Sequence, residues 1–325
     1  MSPIGQMLRR LGPSLLLLFI LLAGPAPANA AGKLVAAVLT CDVPRYRDAH
    51  RAFVKALAQK GYDQSNTEII IQSPNPDPIS WANSIRKFKA LGANIIVTYG
   101  APATLAALRE SLDIPVLFVD VYGPVETGIT RSMTMTGTNL TGVSSKVPMA
   151  TLIRAYQEIR PLKTLGVVFN SREVGSVVQL KELKRVAAQM GFAIVEMNAP
   201  SPATLEAEIN SLLPRVDCLY LSEGSTGARS LEKLIHQAAA GKIPVITQIP
   251  EAADKGALIT LEANPAEQGQ LAGDYAARIL GGKNPRQMPI CKPKKVELVI
   301  NLRAAKLLDL SVPFQVLSEA SRVVK

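Results

Sequence analysis

Short apolar runs alternate with longer amphipathic ones along this sequence, and the alternation restarts once after Val147. Residues 34–39, 68–71, 95–98 and 115–119 read as buried strands, with helices expected over 48–60, 79–91 and 103–111. In the second unit, strands are expected over 165–169, 193–196, 218–221 and 244–247, with helices over 176–190, 202–213 and 228–240. Ile85, Phe88 and Leu91 have helical spacing. Gly61, Gly92, Gly191 and Gly241 fall just past helix ends, and a new strand follows each. Strands alternating with helices of this length demand parallel sheets covered by helices on both faces. The fold class is therefore α/β, with two Rossmann-like lobes. A last helix over 265–280 and a strand over 296–301 would carry the chain back across a hinge.

The first thirty residues have a different composition. Arg9 and Arg10 precede a short apolar run, Pro25 and Pro27 end it, and Ala28-Asn29-Ala30 is a small-x-small cleavage signature. This is the three-part pattern of a secretory signal peptide over 1–30. The run is shorter than the roughly 20 residues a membrane span requires. No cysteine stands at the cleavage point, so no lipid anchor is expected. An unanchored exported protein of this kind belongs in a periplasm.

Composition excludes several functions. The chain carries a net charge of +10, but its cations are scattered, and the cluster Lys292, Lys294, Lys295 has no interleaved aromatics. That argues against nucleic acid as a partner. Three cysteines cannot pair fully, and there is no C-x-x-C. Cys218 lies in an apolar strand pattern, which suits a buried thiol. The two histidines, His50 and His236, sit on expected helix bodies, so no catalytic triad or metal site is expected. Phosphate-loop and dinucleotide patterns are absent. No cofactor is expected.

In open parallel sheets, ligands sit at the carboxyl ends of the strands. That rule selects loops and, in them, candidate ligand-binding residues. The first unit offers Asp42 and Tyr46, then Tyr99, Gly100 and Pro102, then Asp120 and Tyr122. The second offers Asn170, Ser171, Glu173 and Ser176, then Glu223, Ser225 and Thr226, then Gln248 and Glu251. Tyrosine suits a semi-polar small molecule through its flat face and polar tip, or it simply covers a loop end. Asn170 and Ser171 can bind a carboxylate or hydroxyl, or cap the helix that follows. Gly224, Ser225 and Thr226 can present backbone N–H groups to an anion, or form an ordinary turn. The loop acids can meet a ligand ammonium, act as a general acid/base pair, or face solvent.

Asn139-Leu140-Thr141-Gly142-Val143-Ser144, Gly166-Val167-Val168-Phe169-Asn170, Lys255-Gly256-Ala257-Leu258 and Leu298-Val299-Ile300-Asn301-Leu302 carry a further signal. With these segments the chain resembles the tryptophan/tyrosine-type ABC transporter substrate-binding proteins, from about Lys33 to about Leu310. The resemblance implies the type I periplasmic binding protein fold, with hinge crossovers and a small molecule enclosed between lobes. It implies that loops 170–176 and 222–226 and the loop after Thr247 hold the ligand, with 99–102 and 120–122 completing the cleft. Amino-acid-binding members carry acidic residues near Gly224 and Ile249. Here Glu223 or Glu251 supplies that charge from next door, or the ligand has no ammonium.

The expected organisation is a signal peptide at 1–30, an N-terminal lobe of 31–142 plus 264–292, and a C-terminal lobe of 143–263 plus 293–325. The expected function is periplasmic capture of a small molecule, an amino acid or related polar or aromatic compound, by a monomer for an ABC permease. The alternative is a sensor that presents its closed form to a membrane receptor kinase. An enzyme, such as a hydrolase using the loop carboxylates, is not expected.

Overall fold

A strand covered on both faces reads as a nearly continuous apolar run, and β3 (Ile95–Tyr99) and β4 (Val116–Val121) are buried along their whole lengths. The computed structural model describes residues 32–110 and 113–325. The expected signal peptide and the expected helix end at Ser111 lie outside the described residues.

The first sheet has the order β2-β1-β3-β4-β5, with β1 (Lys33–Leu39), β2 (Thr67–Gln72) and β5 (Leu140–Ser144), and every pairing is parallel. Alternate residues of its strands serve opposite faces. Val35, Ala37, Leu39, Ile95 and Val97 pack with α1 (Pro44–Gln59) and α8 (Pro265–Leu280). Ala36, Val38, Ile96 and Phe118 pack instead with α2 (Pro78–Ala90) and α3 (Ala101–Glu110). Helix α8 presses directly on the backbone of α1: a Cβ at Gly269 would lie 2.0 Å from the carbonyl oxygen of Ala49. Only glycine permits that approach.

The second sheet has the order β12-β11-β10-β9-β8-β6-β7. Its strands are β6 (Thr164–Phe169), β7 (Ala193–Asn198), β8 (Cys218–Leu221), β9 (Val245–Thr247), β10 (Ile259–Ala263), β11 (Val296–Asn301) and β12 (Arg322–Val324). Helices α4 (Met149–Ile159) and α5 (Val174–Met190) cover one face. Helices α6 (Pro202–Leu212) and α7 (Ser225–Ala240) cover the other. Two short helices, α9 (Leu302–Leu307) and α10 (Phe314–Glu319), precede β12. Cys218 is fully buried, as its apolar surroundings in the sequence suggest.

Parallel pairing fails at one place: β10 and β11 run antiparallel. Between them the chain leaves the second sheet, lays α8 against the first, and returns. It therefore crosses between lobes three times, after β5, after β10 and before β11. Strand β5 escapes the sequence pattern because Thr141 and Gly142 interrupt its apolar character. Burial of Thr141 is tolerated because its hydroxyl donates to the Met288 carbonyl at 3.2 Å. Strand β10 and helices α4, α9 and α10 also lie outside the sequence reading. Among the described residues, no helix is long and apolar enough to cross a membrane.

Candidate functional site

The helices after β1, β3, β6 and β8 begin earlier than their apolar spacing suggests, at Pro44, Ala101, Val174 and Ser225. The loops shrink accordingly, and several expected loop residues stand in first helical turns. Pro44 shows why. Proline at the first helical position sacrifices no hydrogen bond and already has the required φ. Arg45 then falls in the first turn of α1, where the positive end of the helix dipole disfavours a cation.

Carboxylates compensate it. Arg45 Nε lies 3.4 Å from Asp120 Oδ2, and Arg45 Nη1 lies 3.3 Å from Glu223 Oε2. Nη2 donates to the Tyr46 hydroxyl at 2.9 Å. Asp120 is the penultimate residue of β4 and Glu223 follows β8, so one guanidinium ties the two lobes together. Arg45 is only 7% exposed. A buried charge of this kind persists only when paired and hydrogen-bonded.

The backbone aims Asp120. The register of β4 against β5 shifts between Phe118 and Val121, and Asp120 has a φ of 55°. A bulge redirects a side chain, and a non-glycine residue in the left-handed region marks a constraint worth its strain. Glu223 is fixed from behind: its N–H donates to Gln179 Oε1 at 2.8 Å. Gln179 Nε2 reaches Gln248 Oε1 at 3.5 Å, and Gln248 Nε2 reaches the Val147 carbonyl at 3.4 Å. Buried amides thus link the Glu223 segment to the crossover after β5. Burial pushes the Glu223 carboxyl up to about 7, with Arg45 opposing the shift and Asp120 reinforcing it.

The second-lobe wall is built around Asn170. Its Nδ2 donates to Glu173 Oε1 at 3.1 Å and to Thr226 Oγ1 at 3.2 Å. Its backbone N–H donates to Ser176 Oγ at 2.8 Å, and that hydroxyl shares a 2.5 Å hydrogen bond with Ser222 Oγ. Thr40, Arg45, Tyr46 and Pro102 face Glu173 and Ser176 across a cavity of about 10 Å³. That is room for about one water. The lobes are closed upon each other.

Charge is distributed unevenly around this cavity. Helices α1, α5 and α7 begin without a side-chain cap. By contrast α2, α6 and α8 are capped by Asp77, Ser201 and Asn264. Uncapped N–H groups suit an anionic group, and the carboxylates of Asp120, Glu173 and Glu223 suit a cationic one.

The structure therefore brings together Tyr46, Pro102, Asp120, Asn170, Glu173, Ser176, Glu223 and Thr226. Gly100, with a φ of +87°, lets Tyr46 close in: a Cβ there would lie 2.3 Å from the Tyr46 hydroxyl. Gln248 belongs to the amide relay behind Glu223. Tyr99 lies elsewhere, in the first-lobe core, with its hydroxyl 3.0 Å from His50 Nδ1. Burial holds that histidine down to about 4. Tyr122 is also buried, and its hydroxyl donates to Glu182 Oε2 at 3.0 Å. Burial raises Glu251 to about 7 against the pull of Arg45 and Lys255, and its φ is 62°.

Two candidates face away. The Asp42 side chain is 64% exposed and pairs with Arg47. Ser171 is exposed, and its N–H donates to Asn198 Oδ1 at 3.0 Å. Ser225 opens α7, and its side chain lies outside the described residues. Arg45 is the residue the sequence reading missed. Its signal was present: a cation directly after the proline that starts a helix is electrostatically misplaced unless something holds it. Among the described residues, no group of His, Cys, Asp and Glu is arranged to hold a metal ion.

Comparison with known proteins follows the same geometry. The family model for ABC transporter substrate binding proteins matches residues 35–324. The tyrosine-binding protein of Clostridioides difficile strain R20291 is 28% identical over 269 residues, 82% of this chain and 78% of that protein. A conserved domain protein from Vibrio cholerae has a TM-score of 0.86 at 27% identity, over 90% of this chain and 99% of that one. A Streptococcus pneumoniae domain in complex with L-Trp shares the fold, with a TM-score of 0.87 at 21% identity over 90% and 100% of the two chains. The ligand-free, open structure of a Clostridium difficile substrate binding protein gives 0.70 at 29% identity, over 90% and 99%.

Proposed function

Since this chain belongs to the ABC transporter substrate-binding protein family, we propose that it is the periplasmic solute-binding component of an importer. It captures an amino acid or a related small polar compound between its lobes and delivers it, closed, to a membrane permease. The observation that carries this reading is the Arg45 bridge, which joins Asp120 of one lobe to Glu223 of the other around an enclosed cavity. Three crossovers between the lobes form a hinge about which such a cavity can open.

In this reading the lobes are 31–142 plus 264–292 and 143–263 plus 293–325, and residues 1–30 are a cleaved leader. The solute contacts Tyr46, Asp120, Asn170, Glu173, Ser176, Glu223 and Thr226. A solute shifts the lobes toward closure only if it favours the closed form over the open one. The test is a thermal-shift screen of amino acids, amines and small acids, followed by small-angle scattering. Binding adds stability as RT ln(1 + [L]/Kd), so a cognate solute raises Tm in a concentration-dependent way and lowers the radius of gyration. A verified tight ligand that leaves the scattering curve unchanged would overturn the closure mechanism.

A further inference from the structure

Outside the enclosed cavity, a second hollow lies at the surface seam between the lobes. It holds about 320 Å³. Small-molecule sites span roughly 300–1,000 Å³ and are mostly apolar, with a few placed polar groups. Helices α2 and α3 give this hollow Pro78, Trp81, Pro102 and Leu105, and the segment that opens α5 gives it Arg172 and Val174. Val174 also packs against the apolar side chains of the first lobe. Two guanidinium groups line the hollow, from Arg172 and from Arg109 in the last turn of α3. Among the described residues, neither has a carboxylate partner. The Arg172 N–H donates to Asn170 Oδ1 at 2.9 Å, which fixes the backbone that carries its guanidinium. The lining carboxylate, Glu110, is already engaged: Arg86 Nε and Nη2 donate to its two oxygens at 2.8 and 2.9 Å.

We propose that this hollow is a second ligand site, and that it takes a small aromatic carboxylate. The prolines, Trp81 and Leu105 offer apolar surface to a ring. Guanidinium and carboxylate match as a bidentate fork. An ammonium group would meet two like charges, and the carboxylate beside them is occupied by Arg86. The ligand is therefore an acid rather than an amine. It touches both lobes, so it favours the closed form. By linkage it raises the affinity for a solute in the enclosed cavity, and the solute raises its own affinity in return. The two pockets share Pro102 as a wall. Trp81 Nε1 donates to the Thr40 carbonyl at 3.0 Å, and Thr40 lines the enclosed cavity. The coupling rests on the solute-binding reading above; the site itself does not.

Trp81 is the single tryptophan of the chain, so its fluorescence reports on the hollow. The probes are phenylacetate, phenethylamine and acetate, titrated into the mature chain. Phenylacetate should change the emission saturably. It should bind at least tenfold more tightly than phenethylamine, which has the opposite charge, or acetate, which has no ring. Arg109→Ala and Arg172→Ala should each weaken phenylacetate at least fivefold. Both residues are exposed, so both variants should keep the wild-type Tm.

The absence of saturable phenylacetate binding, by fluorescence and by calorimetry, overturns the site. Phenethylamine bound as tightly as phenylacetate overturns its assignment to an acid. Phenylacetate binding that survives both arginine substitutions and is lost in Asn170→Ala also overturns the site, because the acid would then occupy the enclosed cavity. Any solute found by the thermal-shift screen should bind more tightly when phenylacetate is present, and an unaltered affinity overturns the coupling. If a broad metabolite panel yields no solute, the solute-binding reading fails and takes the coupling with it, while the site is still decided by phenylacetate and the two arginine variants.

Discussion

Arg45 and Glu223 belong to different sheets, yet the guanidinium of one lies 3.3 Å from the carboxylate of the other, with both side chains nearly excluded from solvent. A buried pair is costly to break from one side, at about 3–5 kcal/mol, because the remaining charge is left uncompensated. Here a cheaper escape exists: the lobes can part and let water in. Glu223→Gln should therefore shift the chain toward open lobes rather than unfold it. Small-angle scattering should show a larger radius of gyration than for the wild type, with little change in far-UV circular dichroism. An unchanged radius would mean that the bridge does not hold the lobes together.

The acid–base behaviour of Glu223 gives a second expectation. Burial raises its carboxyl from the ordinary 4.5 to about 7. The folded chain holds this proton more tightly than the unfolded chain, so the stabilisation is complete below pH 4.5 and is lost as pH rises through 7. Buried His50, lowered to about 4, acts in the opposite sense and loses its contribution as pH falls from 6.5 toward 4. Comparison with Glu223→Gln separates the two. Between pH 4.5 and 7.5, Tm of the wild type should fall more steeply, or rise less, than Tm of the variant. Parallel curves would remove Glu223 from the balance.

The contact of α8 on α1 should tolerate no added methyl group. Gly269→Ala places a Cβ 2.0 Å from a backbone oxygen that cannot move aside without moving α1. Overpacking of this kind costs about 1–3 kcal/mol. Urea denaturation should show the midpoint falling with little change in slope. A variant as stable as the wild type would show that the two helices are free to separate.

Asn170 and Tyr99 should separate binding from stability. Asn170→Ala removes the amide that holds Glu173 and Thr226 in the second-lobe wall. It should weaken solute binding at least tenfold by calorimetry. Tyr99→Phe removes a hydroxyl bonded to His50 inside the first-lobe core. It should cost about 0.5–1.5 kcal/mol of stability, the net value of one hydrogen bond, and leave the affinity unaltered. Equal losses of affinity in both variants would place Tyr99 in the cleft after all.

The fold was legible because its two-sided sheets force continuous apolar runs such as 95–97, and its helices carry spacing such as Ile85, Phe88 and Leu91. Strand β5 was not, because its buried Thr141 hydroxyl is satisfied by a segment far along the chain, at Met288. The strand-end rule pointed to Asn170, Glu173, Ser176, Glu223 and Asp120, which lie near one another in the structure. It could not tell which side chains turn inward. Asp42 and Asp120 are both acids at strand ends, and only the bulge and the positive φ of Asp120 direct one of them into the cleft. Arg45 was hidden for a related reason. Its partners come from β4 and from the segment after β8, and their convergence is a property of the closed lobes, not of local spacing.

The placement of α8 also constrains how the molecule can be made. The face of the first sheet that carries α1 is completed by a helix whose last residue is Leu280. All five strands of the first sheet precede residue 145, whereas this cover ends at residue 280. Neither half can ripen independently, and no stop before residue 280 yields a finished amino-terminal half. Pairing across such sequence distances is slow to form.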